Sequence, residues 1–167
     1  MPDRLGPLTV LDTHVWIWVV EGDRAALAPS AIEAISRAAK EGAVRVSAIS
    51  MWEVAMLEAK GRISLSRPVD DWVQAALRAP GISLLPLSPD IAIESTRLPG
   101  APGGDPADRI LMASARTLGG QLATCDRDIL NYSKGGQLNV LNARPPSDAP
   151  AQPAPRGPAR RRTPRPG

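Results

Sequence analysis

Short apolar runs alternate with longer amphipathic segments along most of this 167-residue chain. The apolar runs have the length of buried strands, and the segments between them repeat their apolar residues every three or four positions. The pattern predicts strands over 7–12, 43–49, 83–87, 121–126 and 137–142 and helices over 29–42, 50–61, 68–79, 88–98 and 105–120, with a helical turn before the last strand. This alternation indicates an α/β fold whose parallel sheet is covered by helices on both faces.

Polar residues at the predicted helix starts match known capping patterns. Ser50 precedes Glu53 by three residues, as in a capping box. Asp105 precedes Pro106, so that Asp105 would be the N-cap and Asp108 the third helical residue. Asp126 stands where it could cap the following turn. Each of these acids therefore has a purely structural interpretation.

Charge and proline content divide the chain into two parts. Residues 144–167 contain eight of the 18 prolines and carry six arginines against one aspartate. The whole chain has a formal charge of +3, so residues 1–143 are mildly acidic. We predict a folded domain over 1–143 and a disordered basic tail over 144–167, which is either a solvated extension or an electrostatic arm for RNA or an acidic partner.

The rare residue types exclude several classes of site. One cysteine, Cys125, cannot form an internal disulfide, and one histidine, His14, cannot build a histidine-rich zinc site. Apolar runs are too short for a membrane-spanning helix. These features lead us to expect a cytoplasmic protein without membrane association.

Four carboxylates lie near predicted strand ends or helix starts. Asp12 ends the first strand and Asp126 the fourth, while Glu53 and Asp108 lie in the first turns of two helices. In a parallel sheet these positions collect at one edge, where sites of open α/β folds form. Asp12 also stands between two very apolar runs, and a carboxylate buried there needs a partner.

Mutual repulsion decides what such a cluster would bind. Two carboxylates ~4 Å apart repel by about 4 kcal/mol at an effective dielectric constant of 20. A helix N-terminus offsets only ~0.3–1 kcal/mol. A hard divalent cation, Mg²⁺ or Mn²⁺, suits an all-oxygen cluster. The chemistry indicated is metal-assisted phosphoryl transfer or phosphodiester hydrolysis.

Four stretches in order, "VLDTHVWIW", "SAISMWEVAMLEAKGRISL", "DPADRILMASA" and "LATCDRDIL", resemble the PIN domain of VapC-type toxins. The resemblance extends from about residue 8 to 142 and implies an α/β/α sandwich with a mainly parallel sheet. It implies a metal-dependent endoribonuclease of a toxin–antitoxin system, with RNA as substrate, a small antitoxin as partner and a homodimeric state. It places Mg²⁺ or Mn²⁺ on Asp12, Glu53, Asp108 and Asp126.

Five further residues are predicted to assist this site: Thr13, Asp105, Arg109, Thr124 and Asp128. The two threonines stand beside acids and could donate hydrogen bonds to them, although both also suit an ordinary strand. Asp105 is expected mainly to cap its helix. Arg109 is expected to pair with an acid or a phosphate.

Two alternatives remain at this stage. A haloacid-dehalogenase-like phosphatase would use Asp12 as a nucleophile. The nucleophile motif of that class requires a second acid two residues later, where this chain has His14. A non-catalytic PIN-like module would bind RNA or a protein without cleavage, and it would not need four mutually repelling carboxylates.

Overall fold

A computed structural model describes residues 6–146 of the chain. Its centre is one five-stranded sheet in which every neighbouring pair is parallel. The strands are β1 (Thr9–Leu11), β2 (Val44–Ser47), β3 (Ile82–Leu85), β4 (Gln121–Thr124) and β5 (Val140–Asn142). Their spatial order is β3-β2-β1-β4-β5, which confirms the predicted α/β class.

Seven α-helices connect and cover the strands. They are α1 (Thr13–Glu21), α2 (Pro29–Lys40), α3 (Ala48–Ala59), α4 (Val69–Leu77), α5 (Pro89–Thr96), α6 (Pro106–Thr117) and α7 (Arg127–Ser133). A short 3₁₀ turn, Arg24–Ala26, lies between α1 and α2.

Two apolar cores lie on opposite faces of the sheet. In β1, Leu11 belongs to the core shared with α1, α2 and α4, whereas Val10 belongs to the core shared with α5, α6 and α7. Ala123 and Leu122 divide between the two cores in the same way in β4. All four side chains are fully buried because adjacent residues of a strand point to opposite faces and both faces are covered. The arrangement is the α/β/α sandwich that the resemblance implied.

The first helix is the main error in the predicted elements. The sequence pattern predicts no helix over 13–21, because THVWIWVVE is apolar on almost every side and shows no clear stripe. In the structure the first half of α1 is buried and the apolar residues of its second half are half-buried, so the helix has little polar surface. The other predicted helices and strands are present, with ends that differ by a few residues.

The described residues contain no helix that is long and apolar enough to cross a membrane. The predicted tail lies almost entirely outside them, because residues 147–167 are not described. The domain boundary at 143 therefore stays a prediction.

Candidate active site

Two of the predicted acids follow the two strands at the centre of the sheet. Asp12 comes directly after β1, and Asp126 lies two residues beyond β4. These strands are neighbours, and Leu11 is in register with Ala123. On one side of β1 the sheet continues with β2 and β3, and on its other side it continues with β4 and β5. The direction in which successive strands are added therefore reverses between β1 and β4. Open parallel sheets bind ligands beyond the carboxyl ends of the strands at this reversal point.

Thr124 joins these two acids. Its hydroxyl donates to Asp12 Oδ2 at 2.6 Å and accepts a hydrogen bond from the backbone N–H of Asp126 at 3.0 Å. Thr124 is fully buried and Asp12 is only 8% exposed. The hydroxyl therefore fixes the orientation of a buried carboxylate, which is more than an ordinary strand threonine does.

Asp126 also caps α7, as its structural interpretation proposed. Its Oδ1 accepts hydrogen bonds from the backbone N–H groups of Asp128 and Ile129, at 2.8 and 3.1 Å. Both bonds end on the same oxygen, so capping engages only one side of this carboxylate.

A second hydroxyl network orients Glu53. The Thr13 hydroxyl donates to Glu53 Oε1 at 2.7 Å and lies 2.8 Å from the Ser50 hydroxyl oxygen. A hydroxyl has one proton, so Ser50 donates to Thr13 while Thr13 donates to Glu53. Both hydroxyl residues are fully buried. Thr13 lies on α1 and Glu53 on α3, so this network joins two helices at the site.

The predicted cap at Ser50 is wrong. The helix begins two residues earlier, at Ala48, and the Ser47 hydroxyl accepts a hydrogen bond from the Ile49 backbone N–H. Ser50 and Glu53 thus lie inside α3, where they face α1 instead of forming a capping box. Sequence reasoning missed this role of Ser50, because a serine three residues before a glutamate is the usual signal of a helix start.

The start of α6 contributes two more acids. Asp105 is its N-cap, with Oδ1 accepting from the Asp108 backbone N–H at 2.9 Å, and Pro106 is the first helical residue. This confirms the capping role of Asp105. The cap leaves the Asp108 side chain to the site, since only its backbone takes part.

The electrostatics of Asp108 show that the acids face one another. Its pKa is raised to about 7, first by burial and then by the negative charges of Asp105, Asp12, Asp126 and Glu53. Carboxylates affect one another in this way only when they share a poorly solvated site. Four elements that are remote in the chain therefore meet at one acidic edge.

Burial is also the main cause that raises the pKa of Asp12 and of Glu53. The hydrogen bond from Thr124 acts in the opposite direction on Asp12, and the bond from Thr13 does so on Glu53. The two hydroxyl groups thus favour the charged form of acids whose burial favours the neutral form.

Two of the predicted accessory residues, Arg109 and Asp128, lie beside the acids instead of among them. Arg109 pairs with no acid within residues 6–146; its guanidinium donates to the carbonyl oxygen of Pro102 at 2.7 Å. An acid is therefore not its partner in the described residues, and the other predicted partner, a phosphate, stays a prediction. Asp128 is exposed and lines a cavity beside Asp108 and Asp126.

The acids do not form a closed ligand cage in this structure. Within residues 6–146, no three histidine, cysteine or carboxylate side chains stand close enough together to hold one metal ion. Their chemistry nevertheless fits a hard divalent cation, because the donors are all oxygens and their mutual repulsion is relieved by positive charge. The metal-ligand roles of Asp12, Glu53, Asp108 and Asp126 stay a prediction.

Comparison with known proteins decides the family. The model of the PIN domain matches residues 9–135, which include every acid of the site. The chain belongs to the PIN-domain family. It is 36% identical, over 124 residues, to ribonuclease VapC22 of Mycobacterium tuberculosis, an alignment that covers 74% of this chain and 90% of the relative. This membership removes the dehalogenase-like alternative.

Solved structures of low sequence identity share the same PIN fold. A toxin–antitoxin complex from Klebsiella pneumoniae matches with a TM-score of 0.54 at 21% identity, covering 80% of this chain and 96% of that chain. The VapBC2 complex of Rickettsia felis, bound to a fragment of promoter DNA, matches with a TM-score of 0.58 at 13% identity. That match covers 81% of this chain and 98% of the other.

Proposed function

We propose that this PIN domain is a Mg²⁺- or Mn²⁺-dependent endoribonuclease that acts as the toxin of a toxin–antitoxin system. The observation that supports the proposal is that Asp12 and Asp126 follow the neighbouring central strands β1 and β4, and that their charges and that of Glu53 act on Asp108. The similarity to ribonuclease VapC22 supports RNA as the substrate.

The cation would be held by Asp12 and Asp108, with Glu53 and Asp126 completing the set of oxygen donors. When bound, it supplies Lewis-acid polarisation of a phosphodiester and a water of lowered pKa. Asp108 gives the clearest support for such a site. Burial, and then neighbouring negative charges, raise its pKa to about 7, and a bound cation would oppose both effects.

The chain's own residues orient the acids before any substrate arrives. Thr124 holds the buried carboxylate of Asp12, and the hydroxyl network from Ser50 through Thr13 holds Glu53. These hydrogen bonds reduce the freedom of the acids, so less reorganisation is required when a phosphodiester enters. Asp105 stabilises the start of α6 and so keeps Asp108 at the site.

Cleavage mapping tests the activity. The full chain is incubated with total cellular RNA and Mn²⁺, and the cut sites of the wild type are compared with those of Asp108→Asn. We expect discrete cuts that the variant loses, whereas Asp90→Asn keeps them. Asp90 is a matched control because it is an exposed acid in the first turn of α5 and is not among the charges that raise the pKa of Asp108.

The same experiment separates the remaining alternative. A non-catalytic PIN-like module would bind RNA and leave it uncut at every Mn²⁺ concentration. Equal cutting by the wild type and Asp108→Asn would mean that the acidic edge is not the active site.

The toxin role, the small antitoxin partner, the homodimer and the cytoplasmic location belong to the same proposal. The likeness to toxin–antitoxin complexes supports the antitoxin partner. Induced expression in a bacterial host should arrest growth, and Asp108→Asn should not. Light scattering on the purified chain tests the dimer.

A further inference from the structure

A cavity of about 320 Å³ opens beside the acidic edge. Asp108 and Asp126 line one side of it, so the cavity and the proposed active site share two residues. Its other lining residues include Met112, Ile129 and Tyr132, which belong to the apolar core between α6 and α7. Its volume lies within the range of small-ligand pockets, about 300–1,000 Å³.

The outer wall of this cavity is the loop that precedes α6, and two hydrogen bonds hold it. The Tyr132 hydroxyl donates to the carbonyl oxygen of Pro99 at 2.7 Å, and Arg109 donates to that of Pro102 at 2.7 Å. Pro102, Gly103 and Gly104 then line the cavity. The cavity is thus bounded by a helix, a tyrosine ring and a loop that two hydrogen bonds hold in place.

The chemistry of the lining selects one part of a nucleotide. Three carboxylates, Asp108, Asp126 and Asp128, line the cavity. The proposed cation would compensate Asp108 and Asp126 and hold the phosphate at the acidic edge, while Asp128 repels a phosphate from the rest of the cavity. The apolar side chains of Met112 and Ile129 suit a flat, uncharged ring. An aromatic side chain, Tyr132, offers the contact on which proteins stack unpaired bases.

Asn131 adds a polar group to the same lining. Its Oδ1 accepts a hydrogen bond from the Lys134 ammonium at 3.0 Å, and its amide nitrogen carries two donors. Such an amide can hydrogen-bond the edge of a base. The lining therefore combines the apolar side chains of Met112 and Ile129, the ring of Tyr132 and the amide of Asn131. The carboxylates add negative charge to the side that faces the acidic edge.

We propose that this cavity binds one unpaired nucleobase of the RNA strand whose phosphodiester lies at the acidic edge. The inference rests on the proposed ribonuclease function and adds a specificity subsite to it. It implies that cuts occur in single-stranded RNA, because a paired and stacked base cannot enter the cavity.

Binding by the Glu53→Gln variant tests the subsite without cleavage. Its affinity in Mn²⁺ is measured by fluorescence anisotropy for otherwise identical single-stranded oligoribonucleotides, each with one abasic residue at a successive position. One abasic position next to the mapped cut site should weaken binding about tenfold, and the others by less than about twofold. Equal affinity for the intact and all abasic oligonucleotides, or no binding of any, overturns the subsite.

A variant of the cavity gives an independent readout. Asn131→Trp places a large ring at the cavity, and Asn139→Trp places the same ring just before β5, at the end of the sheet where the strands begin. Both positions are exposed, so both variants should fold. In the Glu53→Gln background, Asn131→Trp should weaken RNA binding about tenfold and Asn139→Trp should not. Equal affinities of the two variants overturn the subsite.

The cleavage map separates this inference from the function on which it rests. If Asp108-dependent cuts occur but Asn131→Trp leaves their sequence pattern unchanged, the ribonuclease function stands and the subsite is wrong. If the wild type makes no Asp108-dependent cuts, the function fails and the subsite fails with it.

Discussion

The substitution Asp108→Asn should stabilise the metal-free protein at neutral pH, although it is expected to abolish cleavage. Asparagine has nearly the shape of a protonated aspartate and carries no charge. It therefore removes the repulsion that Asp108 experiences from Asp12, Glu53, Asp105 and Asp126. The same substitution at an ordinary surface acid changes stability by less than about 0.5 kcal/mol.

The size and pH window of this effect follow from the pKa. The folded pKa of about 7 lies above the unfolded value of 3.8, so the folded state binds the proton more tightly. The stability that this group contributes is complete below pH 3.8 and is lost as the pH rises through 7. At about 1.4 kcal/mol per pH unit the upper limit is about 4 kcal/mol. Because Asp108 is partly exposed, we expect a gain of about 2–4 kcal/mol for Asp108→Asn above pH 7.

Urea unfolding in EDTA measures this gain. Tryptophan fluorescence reports unfolding, since Trp16 and Trp72 are buried against each other with ring centroids 4.9 Å apart. The difference between variant and wild type should grow from near zero at pH 4 to its full size at pH 8. The control Asp90→Asn removes an exposed acid near a helix N-terminus and should change stability at pH 8 by no more than about 0.5 kcal/mol.

The sign and the pH dependence of the stability difference between Asp108→Asn and the wild type test the raised pKa of Asp108. A stability difference that stays constant between pH 5 and 8, or a variant less stable than the wild type at pH 8, would mean that Asp108 does not share a site with the other acids. Mn²⁺ adds a second check, because saturating Mn²⁺ should stabilise the wild type and leave Asp108→Asn nearly unchanged.

Three further predictions concern the site and the fold. Thr124→Val removes the hydroxyl that donates to Asp12 and should weaken Mn²⁺ binding about 10- to 100-fold, as measured by calorimetry. An unchanged affinity would mean that this hydroxyl does not orient Asp12 for the metal. Adding Mn²⁺ to the metal-free protein at pH 7 should release about half a proton from Asp108, measured by titration in weak buffer, and no release would contradict its raised pKa. Gly81→Ala should lower the free energy of unfolding in urea by more than about 2 kcal/mol. Gly81 has φ +80°, and an added Cβ would lie 1.7 Å from the Ala39 carbonyl oxygen. A variant as stable as the wild type would show that this turn can rearrange.

Local patterns predicted most of the secondary structure because the burial of most helices and strands is reflected in the order of their apolar and polar residues. The central strands β1 and β4 are almost fully buried and mainly apolar, whereas β3 and β5 at the two sides of the sheet are partly exposed. Helices such as α2 and α6 have one apolar side. Helix α1 departs from this rule, since its apolar residues include both buried and half-buried positions. A helix that is apolar on nearly every side leaves no stripe for periodicity to detect.

Ser50 illustrates a second limit. Its spacing from Glu53 matches a capping box, and nothing nearby in the sequence contradicts that interpretation. Its actual hydrogen-bond partner is Thr13, 37 residues earlier in the chain. A motif of four residues contains no information about a partner that only the packing of α1 against α3 supplies.

The sequence by itself determined the α/β class, the positions of the acids at strand ends and helix starts, and the resemblance to PIN domains, because all three depend on residues close together in the chain. The tertiary structure alone decided that Thr124 orients Asp12 and that a cavity lies beside Asp108. It also decided that burial, and then neighbouring charges, raise the pKa of Asp108. Electrostatic repulsion and hydrogen bonding act over a few ångströms in space, and the groups concerned come from elements up to 112 residues apart.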